Sequence, residues 1–172
     1  MSTGAERNNN THGVKEELLV FDAELTAAIK KFAHAHLITV NTLTQGVWSL
    51  LLSKYTGNTA TIFGVTVSGR PAELKNAEQR VGPYINALPF CSSIEDDLPI
   101  TDWLIDLQKQ HVVARDYQYT PLNDIQNWGG ITGDFFDHIL VFENYPIGDL
   151  LEEKEWALKA ENEEGKEHNN YM

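Results

Sequence analysis

The run TATIFGVTV, from Thr59 to Val67, is apolar or β-branched at almost every position, so a strand built from it carries water-avoiding side chains on both faces. A half-exposed strand would alternate with polar residues. This run therefore belongs at the centre of a sheet that other elements cover. It breaks off at Ser68, Gly69, Arg70 and Pro71, a sharp transition from strand to loop.

Helices on the N-terminal side supply cover. Asp22 is a plausible N-cap, and Leu25, Ile29 and Phe32 follow at i, i+4 and i+7, which predicts an amphipathic helix ending near Ala35. A second helix opens near Asn41 with Leu43, Val47, Leu50 and Leu51 on one face and Trp48 beside it, and Gly57 stops it after Tyr55. Gly46 lies within that helix and either weakens it slightly or marks a place of close packing.

On the C-terminal side, residues 70–80 read as a polar loop and Val81–Phe90 as an extended segment that Pro83 confines to a sheet edge or to a loop ending in a strand. Pro99 and Thr101 open a third helix with Trp103, Leu104, Leu107, His111 and Ala114 on one face. A short helix begins with Pro121 at its first position and closes at Gly129 and Gly130. Asp137–Pro146 reads as a second buried strand. Helices between strands imply an α/β fold, a two-layer sandwich with a mixed sheet. Residues 1–17 read as a disordered leader or linker, and residues 149–172, with eight acidic against three basic residues, as a solvated tail.

The formal net charge of −12 disfavours nucleic acid and anionic lipid as partners. A single cysteine, Cys91, forms no internal disulfide, no Cys/His spacing suits zinc, and no apolar h-region opens the chain, so a reducing cytoplasm is the expected setting. His34 and His36 sit about 200° apart on a helix and cannot share a ligand or proton. His111 and His138 read as packed or partly exposed residues, Cys91 as an inert half-buried thiol, and Ser68 has no GxSxG elbow around it.

One loop stands out. VTVSGRP at 65–71 is followed by VGPYINALP at 81–89, with Gly69 and Gly82 freeing the backbone near Arg70 and Asn86, where donors can face a carbonyl-rich ligand. The plainer account is a strand-to-loop turn whose arginine pairs a surface carboxylate.

Residues 18–171 resemble the C-terminal lobe of the condensation domains of nonribosomal peptide synthetases. The helix NTLTQGVWSLLLSKYTG and the strand and loop IFGVTVSGRPAEL are similar to that family, Ser68 to Pro71 being the most specific string. A Val-Gly-any-Phe-Ile/Val-Asn-Thr pattern is met by Val81, Gly82, Ile85 and Asn86, with Tyr84 for Phe and Ala87 for Thr. YQYTPLNDIQNW matches at Pro121, Leu122, Asp124 and Ile125, with Tyr119 where His is frequent. FFDHILVFENYP matches at Phe136, Asp137, Phe142, Glu143 and Asn144.

The resemblance implies a chloramphenicol acetyltransferase-like lobe that forms one wall of a substrate tunnel, with Ser68, Gly69, Arg70, Gly82 and Asn86 lining the path. It implies partners as well: the N-terminal lobe of the same domain, peptidyl carrier proteins delivering substrates on phosphopantetheine arms, and an adjacent adenylation domain. The family's HHxxxDG string, which promotes amine attack on a thioester, is absent from these residues, and no two histidines are adjacent. The lobe is accordingly expected to be inactive alone, to be clipped at its C-terminal end, and to self-associate through an exposed face. Two other readings stay open: a noncatalytic module that docks carrier proteins, and an acyltransferase completed by dimerisation.

Overall fold

Asp22 caps the first helix through its carboxylate, which accepts the Leu25 amide at 2.8 Å. Helix α1 runs Ala23–Ala35 and α2 runs Val40–Thr56. The computed structural model describes residues 16–70, 74–76, 79–95 and 97–143. Thr39 caps α2, and Gly57 ends it in the left-handed conformation, φ 72°. Strands β1 (Ala60–Val67) and β2 (Asn86–Ser93) follow, then α3 (Ile100–Ala114), a 3₁₀ turn at Arg115–Tyr117, α4 (Leu122–Gly129) and β3 (Ile139–Leu140).

The sheet order is β2-β1-β3, so the doubly apolar run is central, as its composition requires. β1 pairs antiparallel with β2 and parallel with β3, which makes the sheet mixed. β2 is an edge strand among the described residues and tolerates Pro89, which has no N–H to donate. The extended segment thus becomes a strand only after Pro83, from Asn86 onward, and it takes in Cys91. Cys91 is exposed, and desolvation still holds its thiol above the ordinary range, which keeps it protonated.

α2 and α3 cover one sheet face. Phe63 is 0% exposed, opposite Phe90 in the ladder, and Val65, Trp103, Leu104 and Leu107 complete the core with Ala33 and Ile38. The indole of Trp103 donates to the Ser93 carbonyl at 2.9 Å and pins the start of α3 to the end of β2. On the other face, Phe136 and Ile139 lie against Gly64, where a Cβ has no room.

Three expectations need correction. α2 buries only part of the Leu43, Val47, Leu50 and Leu51 face: Leu43 packs against the core, but Val47 is 59% and Leu51 43% exposed, while Thr42, Gln45, Gly46 and Ser49 turn inward. The cause is close helix approach. A side chain at Gly46 would run into Leu104 and stand 3.3 Å from the Trp103 ring, and Thr42 donates its hydroxyl to Gln108 of α3 at 2.8 Å. Small residues, with Thr42 bonded across to Gln108, fit such a seam better than leucines, while the Gln45 Oε1 and Ser49 Oγ atoms are buried there without a protein partner. Next, Ala114 is exposed, so the buried stripe of α3 stops short of it. Finally, the strand expected over Asp137–Pro146 is Ile139–Leu140 among the described residues, and Val141 is 49% exposed. The leader, Pro71, Asn144 and the acidic tail lie outside the described residues. Among the described residues, no helix is long and apolar enough to cross a membrane.

Four rings cross the interior in a row. His138 stacks on Phe63 at 6.0 Å, Phe63 meets Phe90 at 5.1 Å, and His111 stacks on Phe90 at 5.1 Å. The Nε2 atoms of both histidines are buried without a protein partner. Burial holds both imidazoles below the ordinary pKa of 6.5, Asp137 partly opposing this at His138. The unfolded chain takes up these protons near pH 6.5 and the folded chain only at lower pH. Stability is therefore full above that value and falls as pH drops toward the depressed folded values. Replacing His111 with Phe should flatten the loss of stability between about pH 7.5 and about pH 5.5. Chemical denaturation at the two pH values measures this, and an unchanged loss would contradict the account.

Candidate functional site

The ladder places Val67 opposite Asn86, so the residues leaving β1 emerge beside the residues entering β2. Gly69 makes the turn possible. Its φ is +61°, which side-chain-bearing residues rarely adopt, and a Cβ there would strike the Tyr84 carbonyl oxygen. The backbone of the turn consequently packs directly on the chain at Tyr84.

Asn86 ties this corner to the segment before α4. Its Nδ2 donates to the carbonyls of Gln118 at 3.0 Å and Thr120 at 2.8 Å, and its Oδ1 accepts the Ala87 amide at 2.9 Å. Gln118 reaches back. Its Nε2 donates to the Arg70 carbonyl at 2.7 Å, and its Oε1 accepts the Ser68 hydroxyl at 3.2 Å. Two carboxamides thus clamp this corner: Asn86 ties the start of β2 to residues 118–120, and Gln118 ties that segment to residues 68–70. The Arg70 guanidinium lies 4.9 Å from the Tyr84 ring centroid, stacked as a cation on an aromatic face.

Beside this clamp opens a cleft of about 460 Å³ lined by Gly69, Leu74, Pro83, Tyr84, Ile85, Asn86, Tyr119 and Pro121. None of these side chains is a histidine, cysteine or charged residue. Among the described residues, no group of three His, Cys, Asp or Glu side chains is placed to hold a metal ion. Chemically, the site can position a ligand, while its described lining offers no histidine, cysteine or carboxylate to move a proton at neutral pH.

Of the residues singled out from sequence, Ser68, Gly69, Arg70 and Asn86 come together here. Gly82 does not join them. It is exposed and lies outside the cleft lining, and a Cβ on it would meet only the Tyr84 ring at an ordinary 3.9 Å. Gln118 escaped the sequence reading, although it lies inside the YQYTPLNDIQNW string, because its partners Ser68 and Arg70 stand 50 and 48 residues away.

Removing the Asn86 side chain strands two carbonyls and one amide, whereas removing that of Gln118 strands a hydroxyl and a carbonyl at a more exposed position. Asn86→Ala is expected to cost about 2–3 kcal/mol and Gln118→Ala about 1 kcal/mol. Denaturant unfolding of both variants tests the clamp, and a smaller loss for Asn86→Ala would refute this ordering.

A family model described as the condensation domain matches residues 4–170. A linear gramicidin synthase from Brevibacillus parabrevis is 39% identical over 172 residues, which covers 99% of this chain and 2% of that protein. A surfactin synthase from Bacillus subtilis is 38% identical over 138 residues, 80% of this chain and 4% of its own length. The chain therefore spans only a few per cent of these curated relatives. The first condensation domain of the calcium-dependent antibiotic synthetase, solved in complex with a substrate analogue, aligns with a TM-score of 0.58 at 16% identity. That alignment covers 69% of this chain and 26% of that one, and it is a likeness of fold. With a family model matched across nearly its whole length and relatives of this identity, the chain belongs to the condensation-domain family of nonribosomal peptide synthetases.

Proposed function

We propose that this chain forms one wall of the substrate path in an amide-forming reaction between two carrier-bound thioesters. The amine of one aminoacyl group attacks the thioester carbonyl of the other. The new C–N bond forms, the C–S bond breaks, and the donor carrier leaves as its phosphopantetheine thiol while the amine gives up a proton. Such a step needs the reactants held close and the proton handled. On this reading Ser68, Gly69, Arg70 and Asn86 hold the path, Gly82 shapes the approach to Tyr84, and the proton-handling group comes from another segment bearing the HHxxxDG string.

The observation that carries the proposal is the doubly clamped corner at 68–70, 86 and 118–120, whose described cleft lining holds no histidine, cysteine or charged side chain. The exposed stripe of Val47, Leu51 and Tyr55 along α2 supports a partner that covers this lobe. Peptidyl carrier proteins, an N-terminal lobe and an adenylation domain are the partners proposed, in a reducing cytoplasm.

Two measurements test this. The chain mixed with loaded carrier proteins should release no amide product above a heat-killed control, and joining it to a half-domain with HHxxxDG should restore synthesis. Turnover by the chain alone overturns the division of labour, and carrier binding without restored turnover favours the noncatalytic docking module. In the joined domain, Arg70→Lys should disturb the turn, because an ammonium replaces neither the forked donors nor the planar cation over the Tyr84 ring. If the variant keeps full stability and turn structure while synthesis alone falls, Arg70 acts on substrate directly.

A further inference from the structure

We infer that the cleft between the 68–70 turn and the 119–121 segment is a selectivity subsite for an uncharged, apolar or aromatic side chain of the substrate, with Tyr84 and Tyr119 as its discriminating walls. This deepens the reading of the lobe as a substrate-path wall and rests on it.

Among the described lining residues Asn86 is the side chain with an amide, and both its nitrogen and its oxygen are engaged with Gln118, Thr120 and Ala87. Leu74, Pro83 and Ile85 contribute hydrocarbon, and the two tyrosines contribute rings and hydroxyls. A charged guest entering here would lose water without gaining an opposite charge from any described lining side chain, whereas an apolar guest loses nothing it needs. The guanidinium of Arg70 is turned onto the Tyr84 ring, and Arg70 is not among the lining residues.

Size and stiffness agree with a guest of this kind. About 460 Å³ falls in the range of small-molecule sites and holds one large side chain with part of its backbone. Gly69 permits no added Cβ against the Tyr84 carbonyl, and the two carboxamides fix the walls on either side, so the cleft is set before a guest arrives. Tyr119 is 58% exposed, which leaves its ring at the rim where a guest would meet it first.

The test uses N-acetyl amides of leucine, phenylalanine, glycine, lysine and aspartate, titrated into the isotope-labelled full chain and followed by NMR at the Gly69 amide and the Asn86 carboxamide. The leucine and phenylalanine probes should bind about tenfold or more tighter than the glycine probe, as expected for burying such side chains, and the lysine and aspartate probes no tighter than glycine. Tyr119→Glu, a change at an exposed position, should weaken the apolar probes about tenfold and move the lysine probe ahead of aspartate. A flat ranking, shifts elsewhere on the chain, or a ranking that Tyr119→Glu leaves untouched overturns the inference. Binding of a carrier protein with a bare phosphopantetheine arm, run in parallel, separates the two levels. Carrier binding with a flat ranking removes the subsite alone, whereas the expected ranking without carrier binding keeps the subsite and removes the carrier-dependent reading.

Discussion

The register of β1 against β2 governs the rest of the molecule. Phe63 faces Phe90 on the covered side of the sheet, and a slip by one residue would turn Thr61, Phe63 and Val65 away from α2 and α3. The same register, read four residues further along β1, sets Val67 opposite Asn86. Core packing at one end of the strand pair thereby fixes the corner at the other end. The SGR turn is placed by hydrophobic burial some distance away, and the carboxamide clamps then tighten a geometry already chosen.

Much of this was legible in the residues. The doubly apolar run Thr59–Val67 marked the central strand because no other location hides both faces, and Asp22 and Gly57 marked helix ends by their capping chemistry. The SGRP string and Asn86 drew attention as a pair before any geometry, and the sheet brings them side by side. The face of α2 was misread for a definite reason. Hydropathy assigns the inner side to Leu43, Val47, Leu50 and Leu51, and Leu43 does pack on the core, but the approach of α2 to α3 is set by Gly46 against Leu104, and there Thr42, Gln45 and Ser49 turn inward in place of Val47 and Leu51. Periodicity reports which residues dislike water and is silent on how near a neighbouring helix comes.

Gln118 shows the same limit at the site. A glutamine between two tyrosines has no marked pattern, and its function depends on a turn nearly fifty positions away that only the folded sheet brings near. Asn86 was visible through its motif, yet its chemistry reads differently once its contacts are known. A side chain proposed to present donors to a ligand instead directs its amide hydrogens to two backbone carbonyls of the neighbouring segment. It acts on the cleft by holding the wall, and any influence on a substrate passes through that wall.

The way polar atoms are used in this corner bears on how the lobe takes part in chemistry. A site that must move a proton keeps an unengaged base or acid near its working pH, and such a group is mobile in charge and costly to bury. The corner around Gly69 has the opposite character: its amides are engaged, its arginine lies over the Tyr84 ring, and its described cleft lining holds no histidine, cysteine or charged side chain. The two imidazoles whose protonation burial disfavours lie in the aromatic row across the core and outside that lining. Their protonation therefore bears on the stability of the lobe and not on the described cleft lining. A wall of this kind gains precision by giving up reactivity, which is the condition under which positioning and proton transfer are best carried by separate segments.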